Sequence, residues 1–231
     1  MRKIVILAMG LVASATALAQ DKIEATIGAD FVSQYIWRGL DCGNVSLQPT
    51  LGIAYKGFSL SAWGSVGFKS EDTKEFDLTA SYTVGGLTVE VTDYWFDSPE
   101  KRYFYYNAHS TSHVFEASVA YDFGLLSAAW YTNFAGNDGL NKSGKRAYSS
   151  YFEVNAPFKL ATCDWTGTLG VVPYATDFYD TTGFAVTNVA LKASKDIKIT
   201  DSFSVPIFGQ VIANPCSQKA YFVFGFTLKA L

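Results

Sequence analysis

The sequence predicts an all-β protein, a transmembrane antiparallel up-and-down β-barrel of about twelve strands preceded by a cleaved signal peptide. Three observations carry this reading. Twelve segments of roughly 10 to 15 residues alternate in polarity, their connections alternate between short and long, and nearly all strand charge falls on one parity.

The chain opens with MRKIVILAMGLVASATALAQ. Arg2 and Lys3 form a charged start, an apolar run covers Ile4 to Val12, and Ala17-Leu18-Ala19 is a small-residue cleavage pattern. The apolar run is too short to anchor the chain in a membrane. Residues 1–19 are therefore assigned to a signal peptide and 20–231 to the barrel. Position 20 is Gln rather than Cys, so no lipoprotein attachment site is visible.

Without Arg2 and Lys3 the chain carries 16 Lys and Arg against 21 Asp and Glu, a formal net charge of −5. A mildly acidic chain with no basic run argues against a nucleic-acid partner. Three cysteines are too few for a disulfide-built scaffold. Beyond the leader no stretch approaches 18 consecutive apolar residues, so a spanning helix is excluded. Such a chain can enter a bilayer only as a closed barrel.

The strand segments are 24–38, 45–56, 58–69, 75–84, 87–96, 113–123, 125–135, 147–156, 164–174, 184–194, 202–212 and 219–230. At ~3.3 Å per residue and a tilt near ~40°, about 11 residues rise ~28 Å, the height of an outer-membrane apolar band. Short connections follow the even segments: Lys56-Gly57, Val84-Gly85-Gly86, Phe123-Gly124, Ala156-Pro157 onward, and Ser194–Asp201. Longer and more polar ones follow the odd segments, the longest at 97–112 and 136–146. Short turns on one side and long loops on the other, with an even strand count, is the bacterial outer-membrane pattern.

Parity sharpens the prediction. One face takes Leu47, Leu51, Ile53, Phe58, Leu60, Leu78, Val89, Val91, Val119, Trp130, Val189, Phe222 and Phe224, with Asp93 as its one charge. The opposite face carries eight acids and five bases, among them Arg38, Glu75, Asp77, Glu90 and Glu116. Aromatic residues gather at both ends of the apolar face, as two interfacial girdles would. On this reading Phe31, Tyr35 and Trp37 climb the lipid face of the first strand, and Arg38 points into the lumen near the external mouth.

Ser33-Gln34-Tyr35-Ile36-Trp37-Arg38-Gly39 resembles the aromatic–Arg–Gly opening of the Gcw-type, or TorF-like, outer-membrane barrels of Gram-negative bacteria. Gln48-Pro49, the run from Gly57 to Ser65, Glu75-Phe76-Asp77-Leu78, Ser81-Tyr82 and Tyr94-Trp95-Phe96 resemble that family's following strands. The likeness covers residues 31–97 and continues afterwards only as rhythm. It implies a barrel in the outer membrane and supplies no substrate.

Arg38, Glu75, Asp77, Glu90 and Glu116 are the candidate constriction residues. In that role they would select small solutes by charge, and the acid excess points to a weak preference for cations. The alternative is that inward acids and bases pair up and fill the barrel, leaving the external loops to meet a partner or glycan. The expected function is thus a narrow channel or transporter for small solutes, with outer-membrane lipid around it, no cofactor and no enzymatic chemistry. His109 and His113 are spaced HxxxH beside Ser110 and Ser112, but they fall in the longest loop, without further ligands or preorganisation, and read as solvated. Cys42 and Cys216 lie in loops that become neighbours if strand 12 closes on strand 1. A disulfide between them is one reading of an oxidising compartment, and three separate thiols, with Cys163 on the periplasmic side, is the other.

Overall fold

The computed structural model describes residues 22–69, 72, 74–97, 102–108, 110–201 and 203–229. The signal-peptide assignment and His109 lie outside them. Fourteen strands run in chain order: β1 (Glu24–Val32), β2 (Tyr35–Trp37), β3 (Leu40–Gly43), β4 (Ser46–Tyr55), β5 (Phe58–Gly67), β6 (Lys74–Val84) and β7 (Leu87–Phe96). They continue as β8 (His113–Asp122), β9 (Ser127–Gly136), β10 (Ser150–Leu160), β11 (Cys163–Val172), β12 (Ala185–Lys198), β13 (Ser204–Asn214) and β14 (Lys219–Lys229).

Twelve of these close into one antiparallel barrel, in which each strand pairs with its neighbour in sequence and β1 pairs with both β4 and β14. The seam runs from Gly28↔Lys229 to Val32↔Gly225, so the sheet has no free edge. The remaining pair, β2 and β3, forms a separate two-stranded sheet.

The turn alternation predicted from the sequence is present. Two residues join β4 to β5, β6 to β7 and β10 to β11, while the connections from β7 to β8, β9 to β10 and β11 to β12, at the opposite end, are long. Lys56-Gly57 makes the first tight turn with φ of 46° and 86°, the left-handed values that suit a two-residue hairpin.

Two strands are longer than their sequence pattern indicated. β10 continues through Pro157 to Leu160, and β12 extends to Lys198. Pro157 is tolerated because the β9 ladder ends at Asn155↔Ser127, so at Pro157 only β11 pairs with the strand. Pro206 in β13 sits in the same situation, opposite Asp196 of β12 and one residue before the β14 ladder begins.

The parity sorting is borne out on the wall. Leu51, Ile53, Phe58, Leu60, Phe222 and Phe224 are all more than half exposed on the outside of the barrel. Small polar side chains pair across strands, as in Ser59–Ser81 (2.7 Å), Thr79–Thr92 (3.0 Å) and Thr83–Thr88 (2.9 Å). An apolar exterior on a closed sheet with a polar interior is inside out for water and right for lipid. Leu51→Arg, at mid-height of the outer wall, is expected to lower the unfolding free energy by about 2–4 kcal/mol in lipid vesicles, read by urea titration of tryptophan fluorescence.

Candidate functional site

The first predicted segment does not run unbroken to Arg38. β1 ends at Val32, and Ser33 holds the exit to the seam: its N–H donates to the Phe224 carbonyl (2.9 Å) and its hydroxyl accepts from the Phe224 N–H (3.0 Å). The chain then turns inward, and β2 and β3 form a hairpin inside the barrel. Trp37↔Leu40 flank Arg38-Gly39, whose φ values of 51° and 81° are those of a type I′ turn. Gly39 is demanded twice. Besides its positive φ, a Cβ there would lie 1.8 Å from the Thr187 carbonyl oxygen of β12. Its own carbonyl accepts from Asn214 Nδ2 at 3.0 Å, so the tip is lodged against the inner wall.

Tyr35 and Trp37 are therefore not on the lipid face. Tyr35 is buried against Trp63 of β5, with ring centroids 5.6 Å apart. Ile36 packs with Val32, Ala190, Ile212 and Val223 on the opposite wall. Trp37 stacks on Tyr179 at 5.9 Å and 10°, with Tyr94 and Phe178 edge-on.

Arg38 does point into the lumen, but from the tip of this hairpin rather than from the barrel wall. Its Nη1 and Nη2 donate to the two carboxylate oxygens of Glu116 at 2.6 and 2.9 Å, and Nη1 also donates to the Tyr179 hydroxyl at 2.6 Å. The guanidinium lies over the rings of Tyr131 (3.9 Å), Trp37 (4.3 Å) and Tyr151 (4.8 Å). Tyr94 donates its hydroxyl to Glu116 Oε1 at 2.9 Å. With side chains only 8% and 3% exposed, this ion pair stands because its geometry is bidentate and its rings supply cation–π contacts.

Of the five candidate constriction residues, the fold brings Arg38 and Glu116 together. Glu75 and Asp77 are neighbours on the inward face of β6, both buried. Glu75 Oε2 and Asp77 Oδ1 have no hydrogen-bond partner among the described residues. Glu90 on β7 accepts from Thr92 at 3.5 Å. Glu153 joins the same acidic wall from β10, accepting from Tyr151 (2.7 Å) and Asn155 (2.8 Å). The tyrosines of the cage were missed from sequence. Tyr131 and Tyr151 stand at inward parity on β9 and β10 and could have been found that way. Tyr179 sits in the loop 173–184, where no pattern marks it.

Two further expectations change. Cys42, Cys163 and Cys216 are free, so the Cys42–Cys216 bridge is not formed. Cys42 is drawn onto β3 of the inner hairpin, its thiol directed at the Leu40 carbonyl (3.8 Å), whereas Cys216 is exposed in the β13–β14 turn. His113 is not in a solvated loop but is the fully buried first residue of β8. Its Nδ1 lies 2.7 Å from Asp93 Oδ1 and its Nε2 2.5 Å from the Tyr103 carbonyl, with Tyr103 and Tyr106 packed on the ring. Asp93, the one charge that the sequence reading placed on the lipid-facing parity, thus meets His113 beneath the long loop instead of meeting lipid.

Asp72 ties the hairpin's return limb to the β5–β6 loop. It accepts from Asn44 Nδ2 (2.7 Å) and from the Lys69 N–H (3.0 Å), and these bonds, the Asn44 side chain foremost, hold its carboxyl below the ordinary carboxylate range.

A closed barrel with this outside and inside is a transmembrane β-barrel of the bacterial outer-membrane class. Compared with protein families and with curated proteins, the chain matches none. Among solved structures it is similar to a porin refined at 1.8 Å (17% identity, TM-score 0.40), covering 83% of this chain and 63% of that one. It is also similar to the KdgM porin (10% identity, TM-score 0.46), covering 89% of this chain and 99% of that one. The KdgM porin in complex with disordered oligogalacturonate gives 10% identity and a TM-score of 0.47, over 90% and 100% of the two chains. The chain thus spans less than two thirds of the first porin's length.

Glu116→Gln strands the Arg38 charge and is expected to cost about 3–5 kcal/mol in unfolding free energy, measured by denaturant titration of the refolded barrel. For Asp72 the depressed carboxyl means stabilisation that is present above the unfolded value of ~3.9 and lost as pH falls through the folded one. Amide protection at Asn44 and Lys69 should fall across that acid window, and Asp72→Asn should abolish the step.

Proposed function

We propose that the protein is a narrow, weakly cation-preferring channel or transporter for small solutes in the outer membrane of a Gram-negative bacterium, with no enzymatic chemistry. We place it with the Gcw-type, TorF-like barrels that residues 31–97 resemble. The observation that carries the reading is the charge balance of the inner wall. Between β6 and β10 the lumen face presents Glu75, Asp77, Glu90, Glu116 and Glu153, and the Arg38 that faces them is already neutralised by Glu116. A narrow, low-dielectric passage focuses such an excess, so cations are concentrated in it and anions excluded. The hairpin of β2 and β3 supplies the narrowness.

The same hairpin favours a second reading, a filled barrel whose external loops do the work. Conductance separates the two. In a planar bilayer under a salt gradient the refolded protein should give small unitary currents with a reversal potential on the cation side. Replacing residues 35–43 by a short Gly-Ser linker should raise the unitary conductance severalfold. An anion-side reversal potential contradicts the cation preference. Absence of current both with and without the hairpin contradicts the channel.

A further inference from the structure

Between the inner hairpin and the barrel wall lies a cavity of about 180 Å³, lined by Tyr35, Trp37, Leu40, Cys42, Glu75, Tyr94, Phe96 and Phe178. A cavity of ~150 Å³ admits a benzene-sized guest, so this one suits a small molecule rather than an oligomer. Its chemistry is unusual. Five aromatic rings surround one carboxylate, and that carboxylate, Glu75, is only 7% exposed with Oε2 unpartnered. The neighbouring Tyr94 hydroxyl is committed, donating to Glu116 at 2.9 Å. The Cys42 thiol is turned to the Leu40 carbonyl. What the walls offer is therefore five aromatic side chains and one buried carboxylate with an unpartnered oxygen.

We propose that this cavity is a binding site for a small organic cation, an alkylammonium or quaternary ammonium ion. A hard metal ion needs a cage of oxygen ligands, and rings cannot replace its hydration. A weakly hydrated organic cation gains from both parts of the wall, the ring quadrupoles and the carboxylate charge. Trp37 stands edge-on to Tyr94 at 5.8 Å and to Phe178 at 6.0 Å, which gives the cavity differently oriented ring walls. Asp77, two residues from Glu75 on the same face of β6, adds to the negative potential. Arg38 does not oppose entry, because its charge is closed off by Glu116. Glu75 and Phe96 sit one residue inside, and at, the long-loop ends of β6 and β7, so the site lies at the external end of the lumen.

The proposal deepens the channel reading by naming a solute class, and its test reads binding without requiring current. Tetramethylammonium chloride is titrated into the refolded full-length barrel in detergent micelles, at ionic strength held constant with sodium chloride. Calorimetry and tryptophan fluorescence are followed, with tert-butanol as an uncharged isostere. The expected result is saturable binding of tetramethylammonium, weakened at least tenfold in Glu75→Gln, with no saturation by tert-butanol. A linear response, equal binding of tert-butanol, or an unchanged affinity in Glu75→Gln overturns it. Should Glu75→Gln not refold, Phe96→Leu removes one ring wall instead. A severalfold weaker affinity supports the site, and an unchanged one overturns it. Saturable binding in a protein that carries no current would remove the channel and keep the site. Cation-selective current without saturable binding would do the reverse.

Discussion

Lipid offers no hydrogen-bond partner to a free backbone edge, and nearly everything in this molecule follows from meeting that constraint. The β1–β14 seam pairs residues separated by about two hundred positions, from Gly28↔Lys229 to Val32↔Gly225, and in doing so removes both edges of the sheet at once. Once the ladder is closed, each side chain has only two directions. The outward one must be apolar at membrane depth, and Asp93, a charge at outward parity on β7, is joined to His113 and roofed by the Tyr103 and Tyr106 rings. The inward direction is then free to carry charge, and it does.

The inner wall is where packing and electrostatics meet. A barrel of this size could hold water alone, but here the β1–β4 connection folds inside and forms two small cores with the wall. One is built around Ile36 and Val32, the other takes Trp37 and Leu40 against Tyr131, Tyr151 and Tyr179. Arg38 sits between hydrocarbon and acid. Its five donors and flat guanidinium let it pair with Glu116 through its edge while stacking on rings through its faces, which a lysine could not do.

The barrel was legible in the sequence because its signal is local and repeated. A period of two, a turn every ten residues or so, and one-sided charge recur around the whole ring. The hairpin was not legible, for a specific reason. From Phe31 to Arg38 no glycine or proline intervenes, and the aromatic residues Phe31, Tyr35 and Trp37 all fall at alternate positions of one parity, so nothing in the segment marks the break at Ser33-Gln34. The same alternation serves an outer strand and an inner one. What separates them is the cage of Glu116, Tyr131, Tyr151 and Tyr179, supplied by residues 78 to 141 positions away. Arg38-Gly39 ended a segment in both readings, but only the fold reveals it as a hairpin turn. His113 was misread as solvated because its burial depends on Tyr103 and Tyr106 folding onto it, which no local pattern marks.

The origin of that cage bears on the order in which the chain can assemble. Arg38 belongs to an early part of the chain, yet its counter-ion and ring walls are contributed by β8, β9, β10 and the loop beyond β11. These groups converge only after the middle of the sheet has paired and curved, and Asn214, which grips the Gly39 carbonyl, arrives later still at the end of β13. The seat is therefore absent while β1 and β4 are first laid down, and the hairpin tip must wait for its surroundings. Seating the tip and closing the cylinder are coupled events, so the same strands that seal the wall against lipid also fix the obstruction at its centre.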